Sequence, residues 1–229
     1  MNRSIKYNLT LLSIVSNILL IVLIFFILKL DTVRVELYQQ LVRHYGKVEI
    51  IFIGDSLTRR NSDIAMFTGG FRFNVINKAI DGFTIPQISK QLNDSLIPLS
   101  PCLVIVMAGT NRQEGDSLKS NLNQYQNILD NLISNNINVI LLETLSTQRA
   151  TLNTYINQLN ELLRKIAKEK NIRFFPSNEY LTKNGKLLSE YTKDGVHLNE
   201  RGYKALNNQL IPYIKHSYSS KREECNNII

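Results

Sequence analysis

The chain has 229 residues, 44% of them hydrophobic and 20% charged, with a formal net charge of +8. That balance excludes a disordered or fibrous polymer and bounds the answer at one domain, or one domain with an appendage. The basic excess contains no dense Lys/Arg run and no nucleic-acid motif, so it reads as ordinary solubility, with anionic lipid or acidic glycan as the other reading and no nucleic acid expected.

The first feature in chain order is an uncharged stretch, residues 7–28, bounded by Lys6 and Lys29. At about 1.5 Å per residue it makes roughly 33 Å of helix, enough to cross a bilayer core. The expectation is one N-terminal transmembrane helix, a signal anchor within residues 1–30. A cleaved signal peptide and a buried core helix are the competing readings, but no small-residue cleavage site follows and this length is rare for a core helix in a small domain. Arg3, Lys6 and the amino terminus favour an inside N-terminus. Lys29, Arg34, Arg43 and Lys47 on the other flank weigh against it. A short tail before a first apolar segment behaves as a signal anchor, so the expected localisation is single-pass membrane with the remaining chain outside the cytoplasm. A polar linker helix, 31–46, comes next.

Five short apolar runs then follow: 48–53 (VEIIFI), 73–76, 103–107 (LVIVM), 138–142 (NVILL) and 172–175. They are rich in β-branched residues and do not alternate, which reads as parallel strands covered on both faces. Between and after them, helical spacing predicts helices over 86–96, 117–135, 152–170 and 199–216. Strand and helix alternating in this way makes a three-layer α/β domain with right-handed crossovers. Residues 217–229 read as a polar, frayed tail.

The two cysteines, Cys102 and Cys225, make no disulfide framework, and no Cys/His cluster suggests zinc. Cys102 opens a buried strand and is expected to pack as a small apolar group. A Cys102–Cys225 disulfide is the alternative, because the last helix should run back toward the edge where Cys102 begins its strand.

In a sheet of this kind reactive residues sit just after the carboxyl ends of strands. The first strand ends in Gly54-Asp55-Ser56-Leu57-Thr58. A serine there is placed as a nucleophile, with helix N–H groups available to an oxyanion. It is not a G-x-S-x-G elbow, because Thr58 stands at the second glycine position. On its own, such a serine is more often a helix cap. A serine nucleophile needs a base and an orienting acid. Of His44, His197 and His216, only His197 lies in a compact loop with a carboxylate, Asp194, three residues upstream. Gly109-Thr110-Asn111 follows the third strand, and an Asn amide can donate to an oxyanion. Gly82 lies in the loop after the second strand.

Together, Ser56, Gly82, Asn111 and His197 resemble the four sequence blocks of the SGNH, or GDSL-type, hydrolases, in the family's order over about residues 47–216. The resemblance implies a five-stranded flavodoxin-like α/β/α sandwich, a hydrolase domain over 47–216, and carboxylic ester hydrolysis through an acyl-serine. It implies Ser56 as nucleophile, His197 as general base and Asp194 as its orienting acid. It implies an oxyanion hole of the Ser56 N–H, the Gly82 N–H and the Asn111 side chain, with no metal or organic cofactor. One departure stands out: the third block usually reads G-x-N-D, and here Arg112 replaces the acid. Arg112, with Arg59 or Arg60, is a candidate to contact an anionic part of the substrate, with simple solvated arginines as the competing reading. The chain shows no long lid, so the expected substrate is a short acyl ester on a glycan or lipid. An O-acyltransferase of the same family and a catalytically silent membrane-anchored binding module are the competing readings.

Overall fold

The computed structural model describes residues 48–61, 74–113 and 115–219. All of them belong to the unit Lys47–Ile229. The expected anchor over 7–28, the linker helix 31–46, Cys225 and the tail beyond 219 lie outside the described residues. Among the described residues no helix is long and apolar enough to cross a membrane.

The strands are β1 (Ile50–Gly54), β2 (Val75–Asn77), β3 (Leu103–Met107), β4 (Asn138–Leu142) and β5 (Arg173–Phe175). They form one parallel sheet in the order β2-β1-β3-β4-β5. Every residue of β1 and β3 is buried, as expected of strands covered on both faces. Successive side chains point to opposite faces. Ile50, Phe52, Leu103, Ile105, Ile140 and Leu142 share one face with Leu206, Leu210 and Ile214 of the last helix, α6 (Glu200–Ser219). Ile51, Ile53, Val104, Val106 and Leu141 alternate with them and are equally buried, on the side of α3 (Leu118–Ser134) and α4 (Ala150–Glu169). The result is a three-layer α/β/α sandwich. Each fully buried Leu or Ile contributes about 1.5–3 kcal/mol.

The helices begin and end where local chemistry allows. Ser117 caps α3 by accepting the Ser120 N–H at 3.0 Å, one of the orphan donors of a helix start. Two helices differ from the sequence expectation in their bounds. The helix expected over 86–96 is α2 (Ile85–Gln91), continued by a wide π turn (Leu92–Leu96) and a 3₁₀ turn (Ile97–Leu99). Pro98 has no N–H to continue an α ladder, and the chain leaves through Ser100 at φ 45°. Helix α6 runs past His216 through 219 with Pro212 inside it. Residues 217 and 218 are therefore not frayed: Tyr218 is buried and its hydroxyl donates to Glu49 Oε1 at 2.8 Å. A short helix, α5 (Asn178–Leu181), and a small antiparallel hairpin, β6 (Thr182–Lys183) with β7 (Lys186–Leu187), were not anticipated. Asn184 and Gly185 both take positive φ between those strands, the Asn-Gly signature of a tight hairpin turn.

Cys102 is 4% exposed and disulfide-bonded. It does not act as a free apolar thiol. Cys225 is the chain's other cysteine.

Candidate active site

With strand order β2-β1-β3, the chain reverses direction across the sheet at β1, and the crevice at the carboxyl ends of β1 and β3 is where such sheets bind ligands. Gly54 pairs with Met107 in register, so the turns after the two strands lie side by side. The approach is too close for a side chain. A Cβ on Gly54 would stand 2.2 Å from the Met107 carbonyl oxygen and 2.5 Å from Thr58 Oγ1.

Ser56 begins the short helix α1 (Ser56–Arg59) directly after β1. Asp55 caps it, accepting the Leu57 N–H at 2.9 Å. Ser56 Oγ lies 3.0 Å from His197 Nε2, and His197 Nδ1 lies 2.7 Å from Asp194 Oδ2. With the Nδ1 proton donated to the carboxylate, Nε2 is left to accept from the serine hydroxyl. The three side chains, 141 positions apart at the extremes, form one continuous chain of hydrogen bonds.

The loop carrying His197 is held from within. Asp194 Oδ1 accepts the N–H groups of Val196 at 2.9 Å and His197 at 2.8 Å. Thr192 Oγ1 donates to the His197 carbonyl and accepts the Gly195 N–H. Gly195 takes φ 83° there, a left-handed conformation that favours glycine. The His197 N–H and imidazole, donating to Asp194, hold its carboxyl well below the usual carboxylate range. Asp55 behaves in the opposite way. Burial pushes its carboxyl up to about 6, against the Leu57 N–H, the His197 charge and the Thr110 N–H.

The loop after β2 is fastened to the same turn. Lys78 N donates to Phe52 O at 2.8 Å and Ile80 N to Gly54 O at 3.1 Å. Asn77 Nδ2 donates to the Thr58 carbonyl at 2.9 Å. Gly82 sits in this loop at φ 78°, exposed and with open space around it. Asn111 reaches across from the β3 turn, and its Nδ2 donates to the Phe83 carbonyl at 3.2 Å. Ser56, His197, Asp194, Asn111 and the Gly82 loop are thus gathered at one end of the sheet.

The arginines are placed differently. Arg60 donates through Nε and a terminal nitrogen to Asp81 Oδ2 at 3.3 and 3.0 Å, and Arg59 lies 3.9 Å from the same carboxylate. Arg112 stacks its guanidinium 4.3 Å from the centre of the Tyr155 ring. Of the two arginines after Ser56, it is Arg60 that lines a cavity of about 170 Å³ beside His197, together with Lys193 and Tyr203. A larger cavity, about 610 Å³, opens where β3, β4 and β5 begin, at the end of the sheet away from this chemistry. Among the described residues no group of three or more His, Cys, Asp or Glu side chains is arranged to hold a metal.

Several of these contacts had no sequence signal. Asn61 and Asn207 exchange side-chain amide bonds at 2.9 and 2.8 Å. Tyr203 on α6 donates to the Leu57 carbonyl. Asp81 follows the second strand as an ordinary loop acid, and nothing in its neighbours marks it as the partner of Arg59 and Arg60. Asp55 was visible in the motif, but its burial was not.

A GDSL-like lipase/acylhydrolase family model matches residues 52–205. Among curated proteins, none matches the chain. Solved structures share the fold. A GDSL-like lipase from Bacteroides thetaiotaomicron is 23% identical over 74% of this chain and 89% of its own, with a TM-score of 0.67. The acetyl xylan esterase AlAXEase is 21% identical over 73% of this chain and 100% of its own, with a TM-score of 0.63. A catalytic mutant of an acetylxylan esterase from Geobacillus stearothermophilus is 18% identical over 72% and 92%, with a TM-score of 0.62. The family match spans more than half of the chain and includes the Ser56 turn and the His197 loop, so the chain belongs to the GDSL-like lipase/acylhydrolase family and is a carboxylic ester hydrolase.

Proposed function

We propose that this hydrolase removes short acyl groups, acetyl foremost, from the hydroxyls of a glycan or lipid, through an acyl enzyme on Ser56. The observation that carries the reading is the hydrogen-bonded chain Ser56–His197–Asp194, with its 3.0 and 2.7 Å links. As Ser56 Oγ bonds to the ester carbonyl carbon, its proton passes to His197 Nε2. Asp194 steadies the imidazolium through Nδ1. The carbonyl oxygen becomes an oxyanion facing the Ser56 N–H, the Gly82 N–H and the Asn111 amide. That amide has two N–H bonds. One is engaged by Phe83 and the other serves the oxyanion. Collapse breaks the ester C–O bond, and the alcohol leaves with the proton from His197. Water then repeats the sequence and frees the acid. Loss of one oxyanion donor costs about 2.7–4 kcal/mol of barrier.

The small size of the cavity beside His197 supports a short acyl group or a single sugar ring over a long lipid tail. The acetylxylan esterase activity of two proteins with this fold points the same way. Arg112, free of any acidic partner among the described residues and steadied on Tyr155, is the side chain offered to an anionic part of the substrate. Arg59 shares Asp81 with Arg60 and is a weaker claimant.

The uncharged stretch 7–28 tethers the domain to a membrane, with the domain outside the cytoplasm. The disulfide at Cys102 supports that side, because disulfides persist in oxidising compartments. Pairing of Cys102 with Cys225 would show as a mobility shift of the denatured chain on reduction.

The deciding experiment is labelling with a fluorophosphonate probe, with acetate release from p-nitrophenyl acetate and acetylated xylan measured alongside. Labelling that disappears in Ser56→Ala, together with acetate release by the wild type only, is the expected result. Substantial esterase activity in Ser56→Ala would reject the assignment. Transfer of the acetyl group to an added sugar, in place of release, would reject hydrolysis as the physiological step.

A further inference from the structure

Asp55 is not used in the acyl-transfer scheme, yet its environment is the most unusual for any carboxylate described. It is 1% exposed. Carboxylates are almost never buried to this degree without a cationic partner. Asp55 has no ion pair among the described residues. One oxygen accepts the Leu57 N–H. The other, Oδ2, is buried and makes no hydrogen bond.

A helix cap does not need this charge, because Asn or Ser caps as well as Asp. The charged and ionisable groups that act on the carboxylate electrostatically are Asp81 after β2, Tyr125 on α3, Tyr203 on α6, and His197. Among the side chains that influence its ionisation, His197 favours it and Asp81 opposes it. Electrostatic coupling is reciprocal. If a protonated His197 stabilises the Asp55 anion, the Asp55 anion stabilises protonated His197. The other carboxylate near the imidazole, Asp194, is half exposed, so solvent screens it. Asp55 acts from the interior, where a charge is much less screened.

We propose that Asp55 is a positioning residue for the reaction: its buried charge, one residue before Ser56, favours the imidazolium that His197 becomes as Ser56 attacks. The inference rests on the proposed proton transfer from Ser56 to His197. It assigns two carboxylates to one histidine. Asp194 orients the ring through a direct hydrogen bond, and Asp55 sets the potential beneath it without touching substrate. Destabilising charge of this kind is concentrated at functional sites.

The test is Asp55→Asn, which keeps a side-chain oxygen for the Leu57 N–H and removes the charge, with Asp55→Ala beside it. For Asp55→Asn on p-nitrophenyl acetate, kcat is expected to fall by about tenfold, the equivalent of one pKa unit of lost coupling, with KM nearly unchanged. Its Tm near neutral pH is expected to match or exceed that of the wild type, because a buried charge has gone. In the wild type, protonation of Asp55 near pH 6 should add a step of about tenfold to the acid side of the kcat/KM profile. In Asp55→Asn that step should be absent.

An unchanged kcat in Asp55→Asn across the pH range would overturn the proposal and reduce Asp55 to a helix cap. A loss of kcat that follows an equal loss of Tm in both variants would overturn it as well. If neither variant folds, the wild-type profile decides, and the absence of that step is the overturning result. The underlying assignment is read separately, by loss of fluorophosphonate labelling in Ser56→Ala.

Discussion

The hydroxyl of Tyr203 donates to the carbonyl of Leu57 at 2.9 Å. It ties the helix that follows the His197 loop to the turn that begins with Ser56. The serine and histidine come from opposite ends of the domain, and their 3.0 Å separation depends on how α6 seats against α1. The Asn61–Asn207 amide pair makes a second tie between the same two regions.

Tyr203→Phe removes the first tie and leaves a buried carbonyl without its partner. Stability should fall by about 1–3 kcal/mol, measured as a lower denaturation midpoint. The apolar ring remains, so the core around it should hold. Because the Ser56–His197 distance loosens with it, kcat should fall more than KM changes.

Asp194→Asn tests the orienting carboxylate. Asparagine keeps one acceptor for the Val196 and His197 N–H groups, but it loses the charge that steadies the imidazolium. By analogy with other serine hydrolase triads, kcat should drop by about 10²–10⁴-fold. A melting temperature close to that of the wild type would show that the loss is chemical.

Gly54 and Gly82 should respond differently to alanine. At Gly54 the new Cβ meets the Met107 backbone at 2.2 Å, and backbone at the centre of a sheet cannot move aside. Gly54→Ala should cost more than about 3 kcal/mol or abolish soluble expression. Gly82 has open space but φ 78°, so Gly82→Ala should cost only about 1–2 kcal/mol of folding stability. Any larger loss there should appear in kcat, through displacement of the Gly82 N–H.

The two acids near His197 give stability opposite pH dependences. The Asp55 carboxyl rises from its ordinary value of 3.8 to about 6 on folding. Between those values the native chain holds a proton that the unfolded chain has released. Stability therefore falls as pH rises through that window, by about 3 kcal/mol when the group is fully ionised. Asp194 is held below the ordinary range. Its contribution is present above pH ~4 and is lost on further acidification. Melting temperatures measured from pH ~4 to pH ~7 should fall more steeply for the wild type than for Asp55→Asn, with the two curves converging at the acid end.

Short-range patterns in the sequence carried much of this architecture. The runs at 103–107 and 138–142 coincide with β3 and β4, because an unbroken β-branched run has little alternative to a strand buried on both faces. The Asp194–His197 contact was legible for a related reason. Three residues separate the pair, and the carboxylate closes its loop on N–H groups within that span. The end of the last helix differed because a distant contact outweighed local composition. Residues 217 and 218 look polar enough to fray, but Tyr218 finds Glu49 across the sheet and extends the helix.

By itself the sequence determined the layers, the strand that presents Ser56, and the family to which the chain belongs. Hydrophobic period and motif order are properties of neighbouring residues, so they survive in one dimension. Only the tertiary structure decided which charges are free and which are committed. Arg59 and Arg60 look equivalent beside the nucleophile until Asp81 arrives from another loop and engages both. Arg112 looks like a loose cation until Tyr155 supports it. Asp55 reads as a helix cap until folding leaves it 1% exposed with one carboxylate oxygen unbonded. The physical reason is that a charge is set by what surrounds it in every direction, and most of those surroundings come from far along the chain.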